Sequence, residues 1–165
     1  MKKIFLTTAI AVFLFICLTG TQAQTTQTKL NQVELMKQLL GNWQTNIGKD
    51  TIEIWETQHY GKGYIINVSQ VIKGKKNPLY INNMSFDTKD GKFKGFVLYA
   101  NGDYSTWIGL FTSEKKFSGD MVQNFNPETA SIKLECEFEN PKEWTWRNFN
   151  KEGVKIFESK FIKVK

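Results

Sequence analysis

Hydrophobic and polar residues alternate with a period of two along most of this chain, from Trp43 to the C-terminus. The segment 131–139 shows the alternation most clearly. Lysine and glutamate fill one set of its positions, and the other set is apolar: Ile132, Leu134, Cys136 and Phe138. Such alternation predicts β-strands with one buried and one solvated face.

Short turn motifs separate these segments, among them Asp90-Gly91 and Asn101-Gly102, which are typical of tight hairpins. We expect about nine or ten strands at a spacing of about 8–12 residues. After the one that begins at Trp43, they are 51–58, 64–73, 79–86, 93–99, 104–112, 117–125, 131–139, 143–149 and 154–164. Residues 73–78 are predicted to form a turn because they include Gly74 and Pro78.

These connections suit consecutive hairpins, and a meander of this many strands tends to close because closure removes its exposed edges. The pattern therefore predicts an all-β fold, an antiparallel up-and-down β-barrel of about 8–10 strands with a short N-terminal helix. The helix is predicted just before Trp43, where helical spacing replaces the period of two. Asn31 and Glu34 form a capping-box pattern at its start, and Gly41 stands where a helix end favours glycine.

Residues 1–23 are interpreted as a signal peptide. Two lysines precede an apolar stretch that ends at Leu18, and small residues follow before Gln24. The stretch is shorter than the roughly 20 residues that a membrane-spanning anchor needs. We expect residues 24–30 to form a flexible leader and 31–165 to form one domain. The exported protein would be periplasmic or secreted, with no stable membrane insertion after signal removal.

Charge and cysteine content narrow the function classes. The chain has a formal net charge of +6, but its lysines are scattered and Arg147 is its single arginine. Surfaces for nucleic acids favour arginine forks and basic stripes, so no nucleic-acid partner is expected. Cys136 is the one cysteine outside the predicted signal, which excludes an internal disulfide and indicates a buried, inert thiol.

Gly41-Asn42-Trp43 resembles the Gly-x-Trp signature at the first barrel strand of the calycin group. That group comprises lipocalins, fatty-acid-binding proteins and bacterial lipocalin-like relatives. The resemblance implies a barrel with a general binding role, with Trp43 buried at its closed end and Arg147 stacked on that indole. Lipocalins usually place a helix after the barrel, whereas this chain ends in the predicted strand 154–164. Arg147 also lies in the predicted penultimate strand rather than after the last one. Both departures favour a ten-strand variant or the small bacterial lipocalin-like families of unknown function.

No catalytic, cofactor or metal site is predicted. His59 is the single histidine and lies at a predicted strand end, so we interpret it as a solvated loop residue rather than a haem ligand. One histidine and one cysteine cannot compose a zinc site of usual composition. The carboxylates Glu135, Glu137 and Glu139 fall on one strand face, which we interpret as a solvated outer face.

Aromatic residues are the candidate ligand-binding residues, namely Trp55, Tyr104, Trp107, Trp144 and Trp146. Trp144 and Trp146 share a strand face and would either line a cavity or fill the core. The odd separation of Tyr104 and Trp107 lets only one of them face the interior of a regular strand. Trp107 is preferred, because Gly109 on its face leaves room beside an aromatic wall.

The expected function is non-covalent binding of a small hydrophobic or amphipathic ligand outside the cytoplasm. Two alternatives stay open: an enzyme that acts on a small molecule in the barrel cavity, and a surface module for glycans or a protein partner. A cavity separates the first two from the third. A buried carboxylate that faces the cavity separates the binding protein from the enzyme.

Overall fold

The computed structural model describes residues 30–165, which form a closed antiparallel β-barrel of ten strands preceded by one short helix. This confirms the predicted fold class. The predicted signal peptide and residues 24–29 of the leader lie outside the described residues. The strands are β1 Gly41–Gly48, β2 Thr51–Tyr60, β3 Gly63–Ile72, β4 Lys75–Asp87, β5 Lys92–Tyr99, β6 Tyr104–Ser113, β7 Lys116–Val122, β8 Ile132–Asn140, β9 Glu143–Phe149 and β10 Lys155–Val164.

Every strand pairs with the next one in sequence, and β1 closes the barrel by pairing with β10. In this closing pair Asn42 lies opposite Val164, and Gln44 lies opposite Ile162. The connections are short, and the longest of them, 123–131, contains the 3₁₀ turn Pro127–Thr129. The architecture is therefore the up-and-down meander that the turn motifs predict.

β4 begins earlier than the sequence pattern predicts. The expected turn over 73–78 is reduced to Lys73 and Gly74, which have positive φ angles of 50° and 80°. Pro78 lies inside β4, opposite Ser69, where the β3–β4 register shifts. A proline cannot donate a ladder hydrogen bond, and such an irregularity is where a strand tolerates one.

β7 ends at Val122, short of the predicted Phe125. Asn124 and Phe125 have positive φ angles of 49° and 60°, which a strand cannot accommodate. The chain instead makes a tight reversal with an isolated bridge between Gln123 and Asn126. The apolar Phe125 extended the strand pattern in the sequence, but the backbone leaves the sheet before it.

The helix α1, Gln32–Met36, continues as a 3₁₀ turn, Lys37–Leu39, and covers one end of the barrel. The Asn31 side chain accepts a hydrogen bond from the backbone N–H of Glu34 at 3.2 Å, which confirms the predicted N-cap. Gly41 follows with φ at +109°, a conformation that suits glycine as the chain turns into β1. We call this end of the barrel the helix end.

Aromatic rings fill the half of the barrel next to α1. The Trp144 and Phe161 rings are stacked, with centroids 4.2 Å apart, and the Trp43 ring meets Trp144 edge-on at 6.0 Å. Trp43 is buried, and its Nε1 donates to the Leu39 carbonyl oxygen at 2.8 Å. The expected packing of Trp43 against the helix segment is thus observed. The other half of the barrel is less completely filled.

Candidate functional site

A cavity of about 320 Å³ lies inside the barrel. Its floor is formed by Met36 and Leu39 of the helix segment, which are buried, whereas Phe157 at the opposite end is 41% exposed. The cavity therefore opens away from α1, toward the loops 49–50, 73–74, 100–103, 123–131 and 150–154, which we call the mouth loops. The remaining lining residues are Glu53, Trp55, Ile66, Tyr80, Asn82, Met84, Val97, Tyr99, Trp107, Phe117, Met121, Ile132, Leu134, Cys136, Trp146, Asn148 and Phe161.

Trp107 lines this cavity and is buried. Its Nε1 donates to Asn82 Oδ1 at 3.1 Å, which fixes the ring against the wall. The glycine that makes room for the ring is Gly95 on β5, because a Cβ there would lie 2.1 Å from Trp107 Cε2. Gly109, which the sequence suggested for that role, instead lies against the Phe117 ring.

Tyr104 does not reach the cavity, which corrects its place among the candidate lining residues. Its side chain is 60% exposed on the outer surface, where it stacks on Phe96 with ring centroids 5.5 Å apart. The odd separation from Trp107 accounts for this placement, because alternate residues of β6 face opposite sides of the sheet.

The remaining candidates divide between wall and core. Trp55 and Trp146 line the cavity, with ring centroids 5.6 Å apart. Trp144 shares the inward face of β9 with Trp146, but it is fully buried in the aromatic layer at the helix end. Of this pair, Trp146 therefore lines the cavity, whereas Trp144 fills the core.

Arg147 does not stack on Trp43, which corrects the role that the family resemblance implied. Its guanidinium lies on the outer face of β9, where Nη1 donates to Glu137 and Nε to Glu158, both at 2.7 Å. The Lys163 ammonium lies over the Trp43 ring instead, 4.9 Å from its centroid. Arg147 points outward because it is an odd number of residues from the inward Trp144 and Trp146.

The histidine and the glutamates that the sequence singled out lie outside the cavity. His59 is exposed at the helix end of β2, with its ring 4.8 Å from that of Tyr64. The three glutamates of β8 lie on the outer face and form ion pairs; Glu139 Oε2, for example, is 2.8 Å from Lys160 Nζ. The hydrogen bonds from Lys160 and Thr145 lower the pKa of Glu139.

Sequence reasoning missed the polar groups of the cavity. Glu53 lies on the inward face of β2, where its Oε1 accepts from Trp55 Nε1 at 2.8 Å and its Oε2 from Gln70 Nε2 at 3.4 Å. Asn148 Oδ1 is buried without a hydrogen-bond partner among the described residues. A buried carbonyl oxygen of this kind is a ready acceptor for a donor on a bound molecule or water.

Burial raises the pKa of two other groups of the lining, Tyr80 and Cys136. It raises the pKa of Tyr80 well above its usual range, and the nearby Glu53 carboxylate raises it further. Burial likewise raises the pKa of the Cys136 thiol, which makes it a poor nucleophile. The lining thus offers hydrogen-bonding hydroxyl and amide groups and one carboxylate.

Within residues 30–165, no cluster of three or more histidine, cysteine, aspartate or glutamate side chains is arranged to hold a metal ion. No helix in that range has the length and apolar character to cross a membrane. Comparison with protein-family models and with curated proteins found no match to this chain. The cavity is therefore the starting point for inferring function.

Proposed function

We propose that this barrel binds one small hydrophobic or amphipathic molecule non-covalently in its cavity. The observation that carries the proposal is the cavity itself, about 320 Å³ in volume and walled largely by aromatic and aliphatic side chains. Small-molecule sites are typically clefts of about 300–1,000 Å³ with apolar walls and a few polar groups that orient the ligand. Glu53, Tyr80, Asn82, Tyr99 and Asn148 supply such polar groups among the lining residues.

The size of the cavity sets the expected affinity. Burial of about 200 Å² of apolar ligand surface contributes about 5 kcal/mol at about 25 cal/mol per Å². Lost translational and rotational freedom offsets part of this contribution, and hydrogen bonds to the polar groups add to it. We therefore expect dissociation constants in about the micromolar to millimolar range.

We also propose a family for this barrel, the calycin group. Its Gly41-Asn42-Trp43 segment leads from a capping helix into the first strand of a closed barrel. This arrangement supports membership of the calycin group, in its ten-strand or small bacterial lipocalin-like form. Export to the periplasm or medium, after removal of residues 1–23, completes the proposal.

Two experiments test the binding proposal. Native mass spectrometry of the protein purified from its own host detects a small molecule that co-purifies with the folded chain. Titration with fatty acids, retinoids and bile acids, followed by tryptophan fluorescence, uses the fact that Trp55, Trp107 and Trp146 line the cavity. Saturable quenching that is reduced in Trp107→Phe supports binding there, and quenching fully retained in that variant moves the site elsewhere.

A matched pair of variants separates the cavity from the surface. Ile132 lines the cavity at the mouth end of β8, whereas Ile81 is 41% exposed on β4. Ile132→Trp should narrow the cavity and weaken ligand binding at least tenfold, while Ile81→Trp should leave it unchanged. Equal affinity in the two variants would contradict binding in the cavity and favour a glycan or protein surface.

A second candidate function is an enzyme that acts on a small molecule in the same cavity, and Glu53 is the observation that favours it. Its carboxylate belongs to the cavity wall, as does Tyr80, and a carboxylate can act as a general base. Conversion of the co-purified molecule by the native protein, lost in Glu53→Gln, would support this function. Recovery of the molecule unchanged after prolonged incubation would favour binding alone.

A further inference from the structure

Among the described residues that line the cavity, Glu53 is the one formally charged side chain. Its two carboxylate oxygens accept hydrogen bonds from neutral donors, the Trp55 indole and the Gln70 amide. It forms no ion pair with any described residue. A cation that reached this partly buried carboxylate would add charge-assisted hydrogen bonds to these two neutral ones.

The outer face of the same strand provides the contrast. Glu56 lies three residues later on β2 and is paired with Lys76, with Oε2 and Nζ 2.9 Å apart. Lysines on the outer surface thus reach outer carboxylates, but no basic side chain lies among the described residues that line the cavity. The Glu53 carboxylate can therefore pair with a cationic molecule that enters the cavity between the mouth loops.

Aromatic rings surround this carboxylate. The Trp55 indole is held at Glu53 by its own hydrogen bond, and its ring centroid lies 5.6 Å from Trp146 and 6.4 Å from Tyr80. The faces of aromatic rings carry negative potential and attract cations, most strongly at desolvated sites. A carboxylate amid indole and phenol rings is the chemistry that recognises an ammonium group.

We infer that the ligand is an amphipathic amine, whose cationic head group pairs with Glu53 and whose apolar part extends toward Met36 and Leu39 at the cavity floor. This inference rests on the proposed binding function and names the ligand class for that cavity. A fatty-acid anion would place its carboxylate near Glu53 with no basic group to receive it. Like charges in a site of low polarity repel each other, so such anions should bind poorly.

Three probes with the same octyl chain test this inference: n-octylamine, octanol and octanoate. Isothermal titration calorimetry near neutral pH should rank the wild-type affinities in that order. Glu53→Gln keeps an oxygen for the Trp55 indole but removes the charge, so octylamine should bind at least about tenfold more weakly, as expected for a lost charge pair. Octanol should lose much less affinity than octylamine in Glu53→Gln, and its retained binding shows that the variant folds. Glu56→Gln on the outer face of β2 is the matched control and should bind all three probes as the wild type does.

The failures are distinguishable. If octanol binds but octanoate binds as tightly as octylamine, or if Glu53→Gln retains the octylamine affinity, the amine inference is overturned and the cavity-binding proposal stands. If none of the three probes binds the wild type, the proposed function is overturned together with the inference.

Discussion

At the scale of single residues, Trp43 belongs to the buried core at the helix end. It is 1% exposed, donates to the Leu39 carbonyl oxygen and meets the Trp144 ring edge-on. Trp43→Ala should lower the free energy of unfolding by about 3–5 kcal/mol, as for other large-to-small core substitutions. Chemical denaturation measures this change. Tyr104→Ala is the control, and a similar loss in both variants would contradict the assignment of Trp43 to the core.

Gly95 is required by its close approach to Trp107. A Cβ at Gly95 would overlap the indole, whereas a Cβ at Gly48 would be in ordinary contact with Thr51, at 3.7 Å. Gly95→Ala should therefore destabilise the barrel by about 1–3 kcal/mol and shift the tryptophan emission. Gly48→Ala should change stability by less than about 1 kcal/mol. Thermal melts and emission spectra of the two variants check both predictions. Equal melting temperatures and equal emission maxima would mean that the Trp107 ring moves aside to accept the added Cβ at Gly95.

Strand alternation predicted which residues share a face, but only partly which face is inside. It separated Tyr104 from Trp107 correctly, and Trp107 is the one inside. On β2, alternation places Ile52 and Ile54 on one face and Glu53 and Trp55 on the other. Hydrophobicity favours the face with the two isoleucines as the inner one, so a carboxylate inside is not expected from this strand alone. The deciding fact is the pairing of Trp55 with Trp43 across β1 and β2, which a single strand does not reveal.

At the scale of elements, α1 is attached to β6 through one glutamine, in addition to buried Met36 and the hydrogen bond from the Tyr64 hydroxyl to the Val33 carbonyl oxygen. Gln32 Oε1 accepts from the backbone N–H of Phe111 at 2.7 Å, and its Nε2 donates to the Phe111 carbonyl oxygen at 3.0 Å. These backbone groups are available beside the register shift between Phe111 and Ser113. A single side chain thus replaces a missing strand partner.

Gln32→Ala should detach the helix segment partly from β6. Loss of two hydrogen bonds should cost about 1–2 kcal/mol, and amide exchange should accelerate over residues 32–39. Hydrogen-exchange mass spectrometry measures the local effect. Gln58→Ala, at an exposed position of β2, should leave the exchange of that segment unchanged. An unchanged rate in Gln32→Ala as well would show that the other contacts of the segment, such as buried Met36 and the Tyr64–Val33 hydrogen bond, hold it in place without Gln32.

Turn chemistry predicted the hairpins well, because glycine after aspartate or asparagine specifies a tight reversal locally. The bounds of β4 were harder to predict, because Pro78 is acceptable only where the partner strand β3 is irregular. The site was harder still. A cavity arises where ten strands leave a space between them, and no local pattern encodes that space.

At the scale of the whole molecule, export is the testable expectation. Residues 1–23 carry the signal pattern, so the mature chain should begin near Gln24. N-terminal sequencing of the protein recovered outside the cytoplasm checks this. An intact Met1 on a membrane-bound product would contradict it and favour an anchor.

The closing pair joins the first strand to the last, with Asn42 opposite Val164. Because this contact spans nearly the whole described chain, the barrel cannot close until β10 is present. Until then β1 and β9 are both free edges, and the mean sequence separation of native contacts is large, which slows folding. A chain delivered from its N-terminus would therefore remain an open sheet until its final strand arrives, and would depend on other factors to keep its edges from pairing with neighbours.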